Sequence, residues 1–230
     1  MHTRQTDHAL DEEAVLRDGS LSRALAQGLD TPLAALRASV ESLSQEFGHG
    51  HRSGQPRQRM DGVLREVERL GRNVRELCDF ASPPVPRPLA CTLEEIIAAA
   101  TQALTSEQRS RVVAAHFERG VTLRVDGPLL SGCLRRILEN ALEATDGPVL
   151  VVVRPEEGQT SFTVIDEAPS SLGPDWQPAP FQTTKPNHLG LGLALTQRDI
   201  ALLNGRLEFP SSPGGETCVR IAIPSKEDVR

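Results

Sequence analysis

The chain lacks the features that would fix it covalently or place it in a membrane. Its four cysteines, Cys78, Cys91, Cys133 and Cys218, lie far apart with no C-x-x-C pair. That spacing supports neither a zinc site nor a disulfide framework and fits reducing cytosol. No apolar run approaches the ~20 residues of a membrane span. The polar, acidic stretch Met1 to Leu16 lacks the basic-then-apolar order of a signal peptide. A soluble cytoplasmic protein is the expectation. Positive charge is also scarce: 25 Lys and Arg stand against 31 Asp and Glu, for a net charge of −6. The general field therefore repels phosphate backbones and anionic lipid, which argues against nucleic acid and membrane as partners. There is no internal repeat and no low-complexity tract.

What is present fills two units. With 230 residues, 38% of them hydrophobic, the chain can bury a core in each. After a flexible N-terminus over 1–19, Ala26, Leu29, Leu33, Leu36, Val40, Leu43 and Phe47 alternate steps of three and four, the spacing of one helix seam. Gly48 to Pro56 (GHGHRSGQP) is loop chemistry. Met60, Val63, Val67, Leu70, Val74, Leu77 and Ala81 then repeat the alternation as a second helix. Two narrow seams bury little area alone, so a helical hairpin over 20–82 is expected to dimerise into a four-helix bundle. The competing reading packs the hairpin on its own C-terminal domain. Ser82 to Pro88 (SPPVPRP) cannot continue a helix, and the linker is placed at 83–88.

From 89 to 226 the pattern becomes mixed. Helices are expected at Thr92 to Leu104, Pro128 to Ala144 and Leu191 to Leu203. Strands are expected at Val121 to Val125, Val149 to Arg154, Ser161 to Asp166, Arg206 to Glu208 and Cys218 to Ile223. The chain is thus α+β, a hairpin followed by a two-layer α/β sandwich.

Four segments of this second unit suggest a nucleotide. Asn140 in ILENALEAT faces the sheet if Ile137, Ala141 and Ala144 are buried, and its carboxamide oxygen is a hard ligand suited to Mg²⁺. Asp166 ends the strand SFTVID, where a carboxylate could accept from an adenine amino group. Pro169 to Asn187 is too long and proline-rich for an ordinary connector, hence a candidate lid. Gly190, Leu191 and Gly192 open a helix, where backbone N–H groups and the helix dipole favour phosphate. Each has a bland reading: a solvated Asn, a turn-starting Asp, glycines that only allow tight packing. Order and spacing together make the case.

These residues resemble the transmitter region of two-component sensor histidine kinases, with its Bergerat-type ATP-binding domain. ILENALEA resembles the N box, VIDEAPS a worn G1 box, PFQTTK the F-box segment and lid, and HLGLGLAL the G2 box. NGRLEF and SSPGGETCVRIAIP are similar to the closing hairpin, and LAQGLDTPLAAL to the H box, usually H-E-x-x-T-P-L. The resemblance covers almost the whole chain after residue 20. It implies ATP and Mg²⁺ as cofactors, with Asn140 coordinating Mg²⁺, Asp166 reading adenine, and Gly190, Leu191 and Gly192 framing the triphosphate. Lys185 would approach the terminal phosphates, its alternative being a solvated lid lysine. A homodimer is implied, with a response regulator or another histidine kinase as partner.

The departures are as informative. Gln27 stands where the family carries its phospho-accepting histidine, and a carboxamide nitrogen, its lone pair delocalised, cannot attack a γ-phosphate. Gly28 stands where an acidic residue would assist proton transfer. Thr31 and Pro32 remain, and Pro32 preserves a helix kink. His49 and His51 fall in the inter-helix loop, His116 reads as strand or core packing, and His188 stands at the first G2 glycine; none replaces the missing histidine. Ala168 and Ser170 replace G1 glycines, at a cost on the order of 1–2 kcal/mol if either needs positive φ. Arg136 stands where gyrase-like relatives place a catalytic glutamate, so water activation in their style is not expected. Three functions follow in order: a pseudokinase regulating a true kinase or response regulator, an active kinase for a partner or a non-standard residue, and a nucleotide-independent dimeric adaptor.

Overall fold

In a computed structural model, residues 67, 71–115, 120–169, 176–183, 185, 188–212 and 214–225 are described. Gln27, Gly28, Thr31, Pro32, His49, His51, His116, Ser170 and the first helix of the hairpin lie outside them. The chain divides into two compact units, one of residues 1–82 with 181–191 and the other of 83–180 with 192–230.

In the first unit the end of the second hairpin helix, α1 (71–81), is formed as its apolar spacing requires. Its buried line is Asn73, Leu77 and Phe80, while the seam residues Val67 and Val74 are 48% and 46% exposed. The seam drawn through Val74 and Ala81 is therefore not the line this chain covers by itself. Phe80 packs edge-on against Phe181, ring centroids 5.6 Å apart.

The second unit is a helical layer on a mixed sheet. Strand β1 (Leu89–Thr92) pairs antiparallel with β3 (Thr122–Val125) as a two-stranded sheet. The larger sheet has the order β2-β4-β5-β7-β6, formed by β2 (Val112–Ala115), β4 (Val149–Glu156), β5 (Gln159–Pro169), β6 (Arg206–Glu208) and β7 (Glu216–Pro224). All its pairings are antiparallel except β2 with β4. The helices are α2 (Leu93–Gln102), α3 (Ser106–Ser110), α4 (Gly127–Ala144) and α5 (Gly192–Leu202).

Local chemistry sets the boundaries. Thr92 caps α2 in a reciprocal capping box with Glu95, so the helix starts one residue later than its periodicity alone suggested. Glu95, accepting from the Thr92 N–H, holds its carboxyl below the usual carboxylate range. Asp126 caps α4 through the Leu129 N–H, with Pro128 in the first turn. At the other end of α4, Arg111 donates from its guanidinium to the carbonyls of Leu142 and Thr145, which the helix end leaves without partners, and to that of Gly147 beyond it. Helix α5 ends at Leu202, and just beyond it Asn204 takes φ +58° while the Gly205 N–H reaches back to the Ile200 carbonyl.

Strands β1 and β2 and helix α3 were not expected from the sequence. Each has only 4 or 5 residues, too short to establish a period. The core lies between α2, α4 and the sheet, with Leu93, Ile96, Leu130, Leu134, Ile137, Leu138, Phe162 and Ile221 essentially inaccessible. Among the described residues no helix is long and apolar enough to cross a membrane.

Candidate functional site

Asn140 and Gly192 are brought together in the second unit. Asn140 lies one turn beyond Arg136 on α4, and the residue that opens α5, Gly192, faces it. A Cβ built on Gly192 would lie 3.9 Å from the Asn140 Nδ2, ordinary contact, so no clash requires glycine there. A side chain would nevertheless occupy the space between the carboxamide and the first turn of α5. That first turn has N–H groups without intrahelical partners. The Asn140 carboxamide thus stands at the positive end of α5, where first-turn N–H groups and the helix dipole favour an anion such as phosphate.

The condition set on Asn140 holds in part. Ile137 and Ala141 are buried, whereas Ala144, the last residue of α4, is exposed. Asn140 itself is half-buried.

Asp166 is 4% exposed on β5, between Val149 of β4 and Thr217 of β7. Its Oδ1 accepts the Ala168 N–H at 2.9 Å. The strand does not end there, as the sequence suggested. It runs on to Pro169 through a bulge between Asp166 and Pro169, held by Thr217 donating to the Ala168 carbonyl. A bulge re-aims a side chain without ending the pairing. Ala168 lies within this strand, and the non-glycine residues of positive φ among those described are Phe181 and Asn204. The strain anticipated for a side chain at Ala168 is therefore absent.

Lys185, Gly190 and Leu191 fall in the first unit. The Lys185 N–H donates to the Thr183 hydroxyl, and the Phe181 N–H to the Gly190 carbonyl. Gly190 has φ +70°, and a Cβ there would lie 2.7 Å from the Gln182 carbonyl oxygen. Here the backbone does require glycine. Leu191 is fully buried.

Sequence reasoning missed the charged cluster beside Asn140. Asp199 of α5 is 1% exposed. Its Oδ2 accepts from Arg136 Nη1 at 2.8 Å, and its Oδ1 from Arg198 Nε and Nη2 at 3.1 and 2.8 Å. Arg136 is thus a structural cation, unable to act as a base. An Asp within TQRDIAL reads as an exposed helix residue, and no local pattern marks it as buried. Nearby, burial pushes the Cys133 thiol up to about 12, with Asp199 adding to the rise.

Comparison with known proteins places this geometry. Residues 125–227 match the family model described as histidine kinase-, DNA gyrase B- and HSP90-like ATPase. The sensor histidine kinase ZraS of Salmonella typhi is 26% identical over 97% of this chain and 49% of its own length. The C4-dicarboxylate transport sensor protein DctB of Rhizobium meliloti is 26% identical over 86% of this chain and 33% of its own. The chain thus spans half or less of the length of these relatives. Among solved structures, histidine kinase ThkA in complex with the response regulator TrrA superposes with a TM-score of 0.77 at 15% identity, over 100% of this chain and 69% of that one. Histidine kinase AdeS of Acinetobacter baumannii gives 0.66 at 18%, over 86% and 98%. Over residues 125–227 the second unit is similar to this ATPase family, and the chain as a whole is similar to a sensor histidine kinase transmitter region.

Proposed function

We propose that this chain is a histidine-kinase-like pseudokinase of a two-component system, dimeric through its helical hairpin, that binds ATP and regulates a kinase or a response regulator. The observation that carries the ATP reading is Asn140 facing the first turn of α5 at Gly192. In this reading Asn140 holds Mg²⁺, the α5 amides with Gly190 and Leu191 receive phosphate oxygens, and Asp166 accepts from adenine. Lys185 serves the terminal phosphates. Bound Mg²⁺ would supply charge neutralisation between phosphates, and the protein's part is to orient it. Loss of self-phosphorylation rests on Gln27 and Gly28, since neither carries a nucleophile or a base. Exposure of Val67 and Val74 in the single chain supports the dimer, whose second copy would cover them. ThkA bound to a response regulator supports a partner of that kind.

Titration with ATP and Mg²⁺, read as thermal stabilisation, should raise the unfolding temperature with the logarithm of ligand concentration. Incubation with γ-labelled ATP should leave no acid-labile phosphate on the chain. Stabilisation with stable labelling would overturn the pseudokinase, and no stabilisation at millimolar ATP would overturn nucleotide binding.

The unstrained Ala168 also favours a second reading, a kinase active toward a histidine on a partner. Transfer of label to an added partner domain, with the chain itself unlabelled, would separate the two.

A further inference from the structure

Helices α4 and α5 meet at two rungs. Asn140 opposes Gly192 at one, and Arg136 bonds Asp199 at 2.8 Å at the other. Arg136 and Asn140 are one turn apart on α4, and Gly192, Thr196 and Asp199 recur at four and three residues on α5, so each set lies on one face. Thr196 is fully buried, and its hydroxyl donates to the Gly192 carbonyl at 2.8 Å, tying the first turn of α5 to the middle of that face.

The geometry points to Arg136 and Asp199 as a positioning pair that fixes the first turn of α5 against the Asn140 carboxamide, and so sets the Mg²⁺-phosphate site. The inference rests on the ATP reading above. An ion pair this deep adds little net stability over apolar side chains of similar volume, because desolvation offsets attraction. What it adds is direction. Arg198, on α5 itself, holds the Asp199 Oδ1 and so fixes the carboxylate, while Oδ2 accepts from Arg136 across on α4, so a slide or rotation of α5 on α4 breaks that one cross-helix charged bond. Apolar contacts alone would allow such shifts at small cost. Since Gly192 lies seven residues before Asp199 on the same rigid helix, a change of register at the ion pair is transmitted to the Asn140 rung. Groups that orient a metal ligand from behind are worth roughly 10–100-fold in metal affinity.

The test uses the full chain and compares ATP affinity with and without Mg²⁺. In Arg136→Met with Asp199→Leu, apolar packing replaces the pair. Because Asp199→Leu also takes the carboxylate from Arg198, the unfolding temperature without nucleotide should fall, and in the folded protein the Mg²⁺-dependent gain in ATP affinity should fall about tenfold or more. Arg136→Lys, which keeps the charge but loses the planar fork, should lose part of that gain and serves if the double variant does not fold. A folded variant of either kind with the full Mg²⁺-dependent gain overturns the pair's role. The Asn140 side-chain amide resonance, followed without nucleotide, should move in these variants, and its constancy also overturns the role. If the unaltered chain does not bind ATP although that resonance moves in the variants, the ATP reading fails while the positioning of Asn140 is upheld.

Discussion

Helix α4 buries two surfaces of different kinds. Toward the core it presents Leu130, Cys133, Leu134, Ile137 and Leu138, each at most 1% exposed, packed with α2 and the sheet. Toward α5 it presents Arg136 and Asn140, which meet a carboxylate and a glycine. The first surface is held by the removal of apolar area from water and tolerates exchange of one apolar shape for another. The second is held by charged bonds of fixed direction, where exchange of a single atom leaves a buried charge. One helix thus supplies bulk stability on one side and orientation on the other, and the two can be separated by mutation.

The largest effect should come from breaking the directional side. Asp199→Ala leaves Arg136 and Arg198 with a lost carboxylate and should cost about 3–5 kcal/mol in chemical denaturation, less if their partial exposure lets water in. A cost under ~1 kcal/mol would show that the ion pair is solvated and that the contrast between the surfaces is overdrawn.

On the apolar side, Leu134→Ala should cost about 3 kcal/mol through lost burial and a residual cavity. ATP affinity of the remaining folded protein should be unchanged. Loss of affinity in the folded fraction would show that the core surface also orients the site.

Cys133 joins the two surfaces, since burial raises its pKa first and Asp199 raises it further. A thiol ionising near 9 when unfolded and about 12 when folded contributes stability that is full below pH 9 and is lost as pH rises toward 12. By pH 10.5 the loss should reach about 2 kcal/mol. Denaturation curves of the unaltered chain and Cys133→Ala between pH 8 and 10.5 check this, because the variant should lack that component of the decline.

The smallest effect is a control on a third location. Ala168→Gly restores a glycine that the G1 resemblance leads one to expect, yet Ala168 lies in extended backbone. The substitution should destabilise by about 0.5–1 kcal/mol and leave ATP affinity unchanged. Tighter binding would show that the strand rearranges when nucleotide enters.

Much of this was legible in the sequence because it is periodic or ordered along the chain. Helix α4, the long strands β4, β5 and β7, and the succession Asn140, Asp166, Gly190, Gly192 could be read from spacing and motif. The unread elements are of another kind. Strands β1 and β2 exist because partners 30 or more residues away pair with them, Leu89 with Val125 and Val112 with Val149. The continuation of β5 past Asp166 depends on Thr217, and the burial of Asp199 depends on two arginines, one of them 63 residues distant.

By itself the sequence determined the amphipathic faces, the resemblance that implies ATP, and the absence of a histidine at position 27, since each is a matter of residue identity and local spacing. Only the tertiary structure decided that Gly190 is required by its backbone while Ala168 is not, that Asn140 faces Gly192, and that Arg136 serves as a strut. Those outcomes turn on dihedral angles, burial and the meeting of separate helices, which no single stretch of chain encodes.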